Sequence, residues 1–496
     1  MEFARLSPGR PVVRFALILI FTLLGFAVMG YHPGYEDDGV YLAAVKADLQ
    51  PALYPHDAAF FRLQLQATVF DGALARFVHW TGMPLAWAEL LWQLATIFGT
   101  LWACHSIARQ LFEDARAQWA GVAMVAAMLT LPVAGTALNL ADQHLHPRNI
   151  ATALILMAVA RILAGRRRQA LALLAAAMVM HPIMGVLGIS FCAFLALSLR
   201  QGPGGWLRGQ TGSLAAAVPL GWIFEPPTPN WHRALNTRTY YFLYQWTWYE
   251  WLGALGPLAL FWLLWRMARR RGQAKLARFA LAVLAYGVFQ QALAMAVLAP
   301  AALVRVTPLQ PMRYLQLEYF FLALMAGCLL GSAVLRARAW RWVVYLALIN
   351  GGMFAAQRAL LPASQHLELP GRAPANPWLQ AFQWVRRNTP VTAYFALDPR
   401  YLALPGEDYH SFRALAERSQ LADAIKDASV VTQVPELGDA WARQVDAQAG
   451  WNRFQIKDFE RLKREFGVDW VLVDYPQPGG LDCRWHNERL AVCQIP

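Results

Sequence analysis

Acid is scarce in this sequence. Its 496 residues hold 31 Asp and Glu against 44 Lys and Arg, and charged residues of both signs make up only 15%. With 57% hydrophobic residues, 21 Trp and a mean hydropathy of +0.31, so little charge excludes an ordinary soluble protein of this length and points to a polytopic membrane protein. The net charge of +13 does not mark a nucleic-acid binder, because the basic residues are confined to short connections between apolar runs. Cysteine is sparse as well. Of five, Cys104, Cys192 and Cys328 fall in apolar runs as small hydrophobes, leaving Cys483 and Cys493 as a disulfide candidate if their polar region is oxidising. Phosphate-loop and dinucleotide fingerprints are missing, so chemistry driven by cytoplasmic nucleotides is not indicated. The middles of the apolar runs hold almost no acid, with Glu89, Glu250 and Glu318 near run ends and Gln290-Gln291 the conspicuous midspan pair. That scarcity is an objection to ion-coupled transport.

What is present is a series of apolar runs. They cover 15–30, 85–104, 118–137, 149–164, 169–180, 183–199, 211–224, 250–267, 279–299, 314–335 and 342–360, which predicts eleven spans when His181-Pro182 is read as a loop. The first follows Arg5, Arg10 and Arg14 and lacks a clean cleavage site, so it reads as an uncleaved helix. Arg166-Arg167-Arg168, Arg269-Arg270-Arg271 and their neighbours fall in alternate connections, which places those connections and the N-terminus in the cytoplasm. Residues 31–84, the loop from Asn139 to Arg148 and everything after Leu361 are then external.

Within 31–84, Phe61, Leu65, Val69, Ala73 and Phe77 recur every four residues, the pattern of an amphipathic helix in the interface. From about Pro370 the composition turns soluble. Asn376-Pro377 predicts a helix start, Val391 to Leu397 a strand, Ile456 to Phe466 a helix stopped by Gly467, and Trp470 to Tyr475 and Leu490 to Ile495 two further strands. The expected organisation is a transmembrane domain over 1–361 and a small extracytoplasmic α/β domain over 362–496. Gly202 to Gly209 reads as a short flexible connection.

Candidate functional residues cluster at the external ends of spans. Glu36, Asp37 and Asp38 follow the first run; they read either as the first turn and cap of a helix from Gly39 to Leu49, or as a catalytic acid cluster. Neighbouring helical carboxylates point about 100° apart, so Asp37 and Asp38 cannot both face one substrate atom. In Asp142-Gln143-His144-Leu145-His146-Pro147-Arg148-Asn149 the two histidines lack further ligands at metal spacing, and Arg148 either snorkels at the interface or meets an anionic group with His146. His181 is a structural turn residue unless it shares a cavity with Asp37. Arg313, in Gln310-Pro311-Met312-Arg313-Tyr314, is either an edge anchor or a phosphate fork. Asp57 caps the interfacial helix or joins the substrate. The aromatic stretch from Trp231 to Trp251 fits an interface belt.

The acidic Tyr35-Glu36-Asp37-Asp38-Gly39-Val40-Tyr41 after the first span, the helical first loop, roughly a dozen spans and a closing soluble domain together resemble the GT-C superfamily of membrane glycosyltransferases. His146-Pro147-Arg148, His181-Pro182, Gln310-Pro311-Met312-Arg313 and the stretch from Trp384-Val385-Arg386-Arg387-Asn388-Thr389-Pro390 through Phe412-Arg413 are similar to segments of a poorly characterised bacterial branch. The resemblance implies transfer of a sugar from a polyprenyl-phosphate donor to a glycan, lipid or protein acceptor on the external face of a bacterial inner membrane, by an inverting reaction. It implies Asp37 as base, Asp38 as its support, and Arg313 and Arg148 against the lipid phosphate. A divalent cation is permitted by the acids and not demanded. The alternatives are a transporter or flippase of an envelope precursor and a noncatalytic assembly protein.

Overall fold

The computed structural model describes residues 11–200 and 226–496, residues 64 and 65 by their backbone. Seven helices in it are long and apolar enough to cross a membrane: α1 (Pro11–Met29), α5 (Leu85–Leu111), α9 (Pro182–Leu199), α11 (Trp248–Arg270), α12 (Ala274–Leu298), the continuous stretch Pro311–Leu335 that contains α13 (Leu315–Leu330), and α14 (Ala339–Leu360). Three more predicted spans form the shorter helices α6 (Ala115–Ala127), α7 (Pro147–Leu163) and α8 (Arg167–Met180). The run 211–224 and the connection 202–209 lie outside the described residues. The protein is a helical membrane protein with apolar residues on both sides of its helices. On α1, Ile18 and Phe26 face the bundle, whereas Val12, Phe15, Ile20 and Leu23 are exposed, as a lipid-facing surface requires. Small residues let α6 and α13 touch. A Cβ on Gly327 would lie 2.6 Å from the Ala120 carbonyl oxygen and 2.7 Å from the Gly121 Cα.

Two local expectations are corrected. The run 118–137 is not one helix: α6 ends at Ala127, and a hairpin of β1 (Pro132–Val133) and β2 (Leu138–Asn139) follows. Pro132 lacks the amide a helix would need, and Gly135 (φ +62°) turns the chain where an added Cβ would strike the Trp246 ring at 2.3 Å. The four-residue stripe of the first loop is likewise split, into α3 (Ala59–Leu65) and α4 (Phe70–Thr81), after α2 (Asp38–Leu49). Phe61 is fully buried and Val69 is exposed, so the stripe does not share one face.

The C-terminal region is a mixed sheet between helices. Strands β3 (Tyr394–Ala396), β4 (Ser419–Gln420), β5 (Trp470–Asp474), β6 (Asp482–His486) and β7 (Leu490–Gln494) stand in the order β4-β3-β5-β7-β6. β3 is parallel to β4 and β5; β7 is antiparallel to β5 and β6. Period-two alternation sends Trp470 and Leu472 to one face and Val471 and Val473 to the other. The first face packs on Phe382 and Val385 of α15 (Pro377–Asn388), whose Asn376 cap accepts amides from Trp378 and Leu379. The second packs on Phe459 and Leu462 of α19 (Ile456–Phe466), stopped by Gly467 at φ +74°. The predicted strand 391–397 is paired only over 394–396, and β6 went unpredicted. Cys483 and Cys493 face each other across β6 and β7 and are bonded.

This region is not held by a tether. Phe60 of α3, and Trp231 and Ala234 of α10 (Pro229–Asn236), share a core with Ala428 and Val431 of α17 (Lys426–Gln433) and Trp441 of α18 (Gly438–Ala447). Val40, Ala43 and Phe61 share another with Val430 and Val434. The loops and the C-terminal region therefore form one layer over the bundle end where α1 and α8 finish and α7, α9 and α13 begin.

Candidate active site

A cavity of about 570 Å³ lies in that layer. Glu36, Asp37, His146, Arg148, His181 and Arg313 all line it, brought from four separate stretches of chain. Asp38 and Asp57 do not. Helix geometry explains the first: α2 begins at Asp38, whose carboxylate turns inward and accepts the Gly34 amide at 2.7 Å. Burial, with Glu89 nearby, pushes the Asp38 carboxyl well above the usual range. Asp57 is a core ion-pair partner instead, with Oδ2 2.7 Å from Arg413 Nε and 3.0 Å from the Gln420 amide.

Asp37 sits at the helix start yet makes no side-chain capping bond. Its Oδ1 is 2.7 Å from Lys426 Nζ, and its Oδ2 is 3.3 Å from His146 Nε2. Burial opposes its ionisation, but the Lys426 ammonium, with His146 and Arg148, outweighs it and holds the carboxyl well below the usual carboxylate range. Lys426 is held protonated in return, its burial offset by Asp37 and Glu36. This lysine is the first residue of α17, where Asp423 Oδ1 accepts the amides of Ile425 and Lys426.

His146 is the N-cap of α7. Its Nδ1 accepts the Arg148 amide at 2.9 Å, so Nε2 is the nitrogen left to carry hydrogen toward Asp37. Burial and Arg148 lower its pKa and keep the ring neutral. Tyr41 closes over it edge-on, with ring centroids 4.7 Å apart. His181 caps α9 in the same way through Nδ1, and burial followed by Arg313 pulls its pKa well down. Both rings are thus neutral fixtures with one lone pair already used by the backbone.

Arg148 does not snorkel. It is buried, and its Nη2 donates to both oxygens of Asp142 at 2.7 Å. Arg313 is oriented by Gln310, whose Oε1 accepts from Nε at 2.8 Å while its amide nitrogen donates to the Tyr241 hydroxyl at 2.8 Å. Arg238 completes the basic wall and donates to the Ile425 carbonyl. The cavity therefore sets two acids against three arginines and a lysine, so its lining is cationic overall. Glu36, Ala137 and Gln310, all on the wall, hold positive φ angles of 46°, 51° and 48° without being glycine. Such conformations cost about 1–3 kcal/mol each and gather where a site fixes its backbone.

The acids of the site are already engaged by cations and imidazole. Both oxygens of Asp37 face nitrogen groups, and those of Asp142 are taken by Arg148. Sequence reasoning missed Lys426, Arg238 and Tyr240. Lysine is rare here, five of the 44 basic residues, and that rarity was the only signal for Lys426.

The chain matches no family model and no curated protein. Among solved structures it is similar to the archaeal oligosaccharyltransferase AglB from Archaeoglobus fulgidus, determined in complex with an inhibitory peptide and a dolichol-phosphate, at a TM-score of 0.42 and 12% identity over 92% of this chain and 69% of that one.

Proposed function

We propose that the protein is a glycosyltransferase that moves a sugar from a polyprenyl-phosphate donor to an acceptor hydroxyl or amide at the external membrane surface. The observation that carries this reading is a carboxylate, Asp37, lining one cavity at the end of the bundle together with Arg148, Arg238 and Arg313. An acceptor placed against Asp37 loses its proton to the carboxylate as its heteroatom bonds to the anomeric carbon. The bond from that carbon to the phosphate oxygen breaks, and polyprenyl phosphate leaves with one more negative charge. A single displacement of this kind inverts the anomeric centre. Arginines at headgroup depth lower the barrier by meeting the charge as it grows, while His146 and Lys426 fix the direction of the carboxylate. A carboxylate so well stabilised is ionised at neutral pH but weakly basic, so the proton moves late, once the phosphate bond is largely broken.

The test is release of polyprenyl phosphate from a panel of polyprenyl-phosphate hexoses, using Asp37→Asn and Arg313→Ala at equal expression. Loss of the base lowers turnover by about 10²–10⁴. Loss of one charge-stabilising donor lowers it by about 10²–10³. Wild-type turnover in both variants would sink the assignment.

A further inference from the structure

Behind the cavity, three further segments meet. His32 follows α1, Glu368 follows α14, and His410 precedes α16 (Phe412–Ala416) in the C-terminal region. Short backbone pairings lock them, Tyr31 with Leu367 and Tyr35 with His410. One donor atom from each of the three side chains lies within 4.8 Å of the other two. His410 Nε2 is 2.9 Å from Glu368 Oε2, and His32 Nδ1 is 3.6 Å from Glu368 Oε1.

The two histidines are buried, Glu368 is half-buried, and all three are underused. His32 is fully buried, and neither ring nitrogen has a hydrogen-bond partner. His410 is 2% exposed with Nδ1 unpartnered, and Glu368 Oε1 is unpartnered too. Asp408, two residues before His410, is buried with both carboxylate oxygens unpartnered. A protein core seldom leaves so many polar atoms unsatisfied in one place. None of His32, Glu368 and His410 lines the cavity at Asp37, so the proposed transferase chemistry does not use them.

We propose that His32, Glu368 and His410 bind a divalent transition-metal ion, zinc before others, which staples the exit of the first span to the C-terminal region. Two imidazoles and one carboxylate form a donor set that suits zinc, whose ligands at about 2.0–2.1 Å in a tetrahedron stand about 3.3–3.5 Å apart. The 2.9 and 3.6 Å separations, one to each oxygen of Glu368, bracket that spacing, and all three donors lie within 4.8 Å of one another, so side-chain rotation draws them onto one ion. Glu368, with Pro33 and Gln365, lines a second cavity of about 440 Å³, so the carboxylate is the ligand an entering ion would meet first. The His410 ring also packs edge-on against Tyr35 at 6.1 Å, one residue before Glu36. An ion here therefore fixes the turn that presents Asp37. The site stands on its own geometry and does not depend on the transferase reading.

The experiment uses full-length protein in detergent, purified with a histidine-free tag, stripped with chelator and reloaded with zinc, with manganese and ferrous iron in parallel. Elemental analysis after gel filtration should find about one zinc per chain, and zinc should raise the unfolding temperature. The His32→Gln/His410→Gln double variant should lose both effects, while Asp37→Asn retains both. X-ray absorption on the loaded wild type should show two imidazoles and oxygen around the metal, a readout that holds even if the double variant does not fold. Failure of the wild type to retain any of the three metals overturns the proposal, as does undiminished binding by the double variant or a shell without two imidazoles.

Discussion

Arg413→Met should destabilise the protein by about 3–5 kcal/mol, because it removes the only cation from a buried triad. Arg413 is 1% exposed, Asp57 2% and Asp427 0%. The guanidinium reaches Asp57 Oδ2 from Nε at 2.7 Å, and the two oxygens of Asp427 from Nη1 and Nη2 at 3.1 and 3.2 Å. At about 3 Å and an effective dielectric near 20, each contact has a gross attraction of about 5–6 kcal/mol. Desolvating three ions offsets most of that, so the intact triad contributes little net stability. Removing the arginine alone does not restore the balance, since two carboxylates stay behind without a counter-charge. The expected loss lowers the folded-to-unfolded ratio by roughly two to three and a half powers of ten. Denaturant unfolding in detergent, followed by tryptophan fluorescence, measures it. Arg413→Met combined with Asp57→Asn and Asp427→Asn should recover most of the loss, because no uncompensated charge remains. A single variant within about 1 kcal/mol of wild type would refute the reasoning. The triad also bears on the site, since Asp427 follows Lys426 and Arg413 thereby anchors the start of α17.

Two further outcomes follow from the same geometry. Lys426 is the largest influence holding the Asp37 carboxyl down, and burial pushes the other way. In the wild type Asp37 therefore stays ionised as pH falls through the ordinary carboxylate range; in Lys426→Met its pKa rises, and the acid limb of the transfer rate should move to higher pH. An acid limb that does not move counts against Asp37 as the titrating base. The bond between Cys483 and Cys493 closes a short loop, and its removal by Cys493→Ser should cost about 2–3 kcal/mol in denaturant unfolding. Alkylation of both thiols in protein isolated without reductant would show that the bond does not form.

Some features were written in local sequence and needed no partner. Apolar runs of 18 residues or more become helices because only intrachain hydrogen bonds satisfy a backbone in lipid. Asn376-Pro377 and Gly467 set helix ends because caps act within one turn, and α19 occupies the 456–466 segment that its pattern predicts. The cysteine pair was legible because its chain returns on itself across ten residues. Where the same local rules met tertiary constraints they failed: the hairpin at Pro132 broke an apolar run, and α3 and α4 divided a regular stripe.

The site was legible only in part. Its acids and arginines stand at span ends, where alternation of the chain across a membrane gathers them on one side, so topology alone put Asp37, Arg148, His181 and Arg313 at one depth. Sequence could not say which carboxylate faces the cavity. Asp37 and Asp38 differ by one residue, and the start of α2 turns the second inward to Gly34. Nor could it place Lys426 2.7 Å from Asp37, 389 residues earlier, or tie His32 to Glu368 and His410. Those meetings depend on the C-terminal region folding onto the first loop, and long-range packing of that kind leaves no periodic trace in the chain.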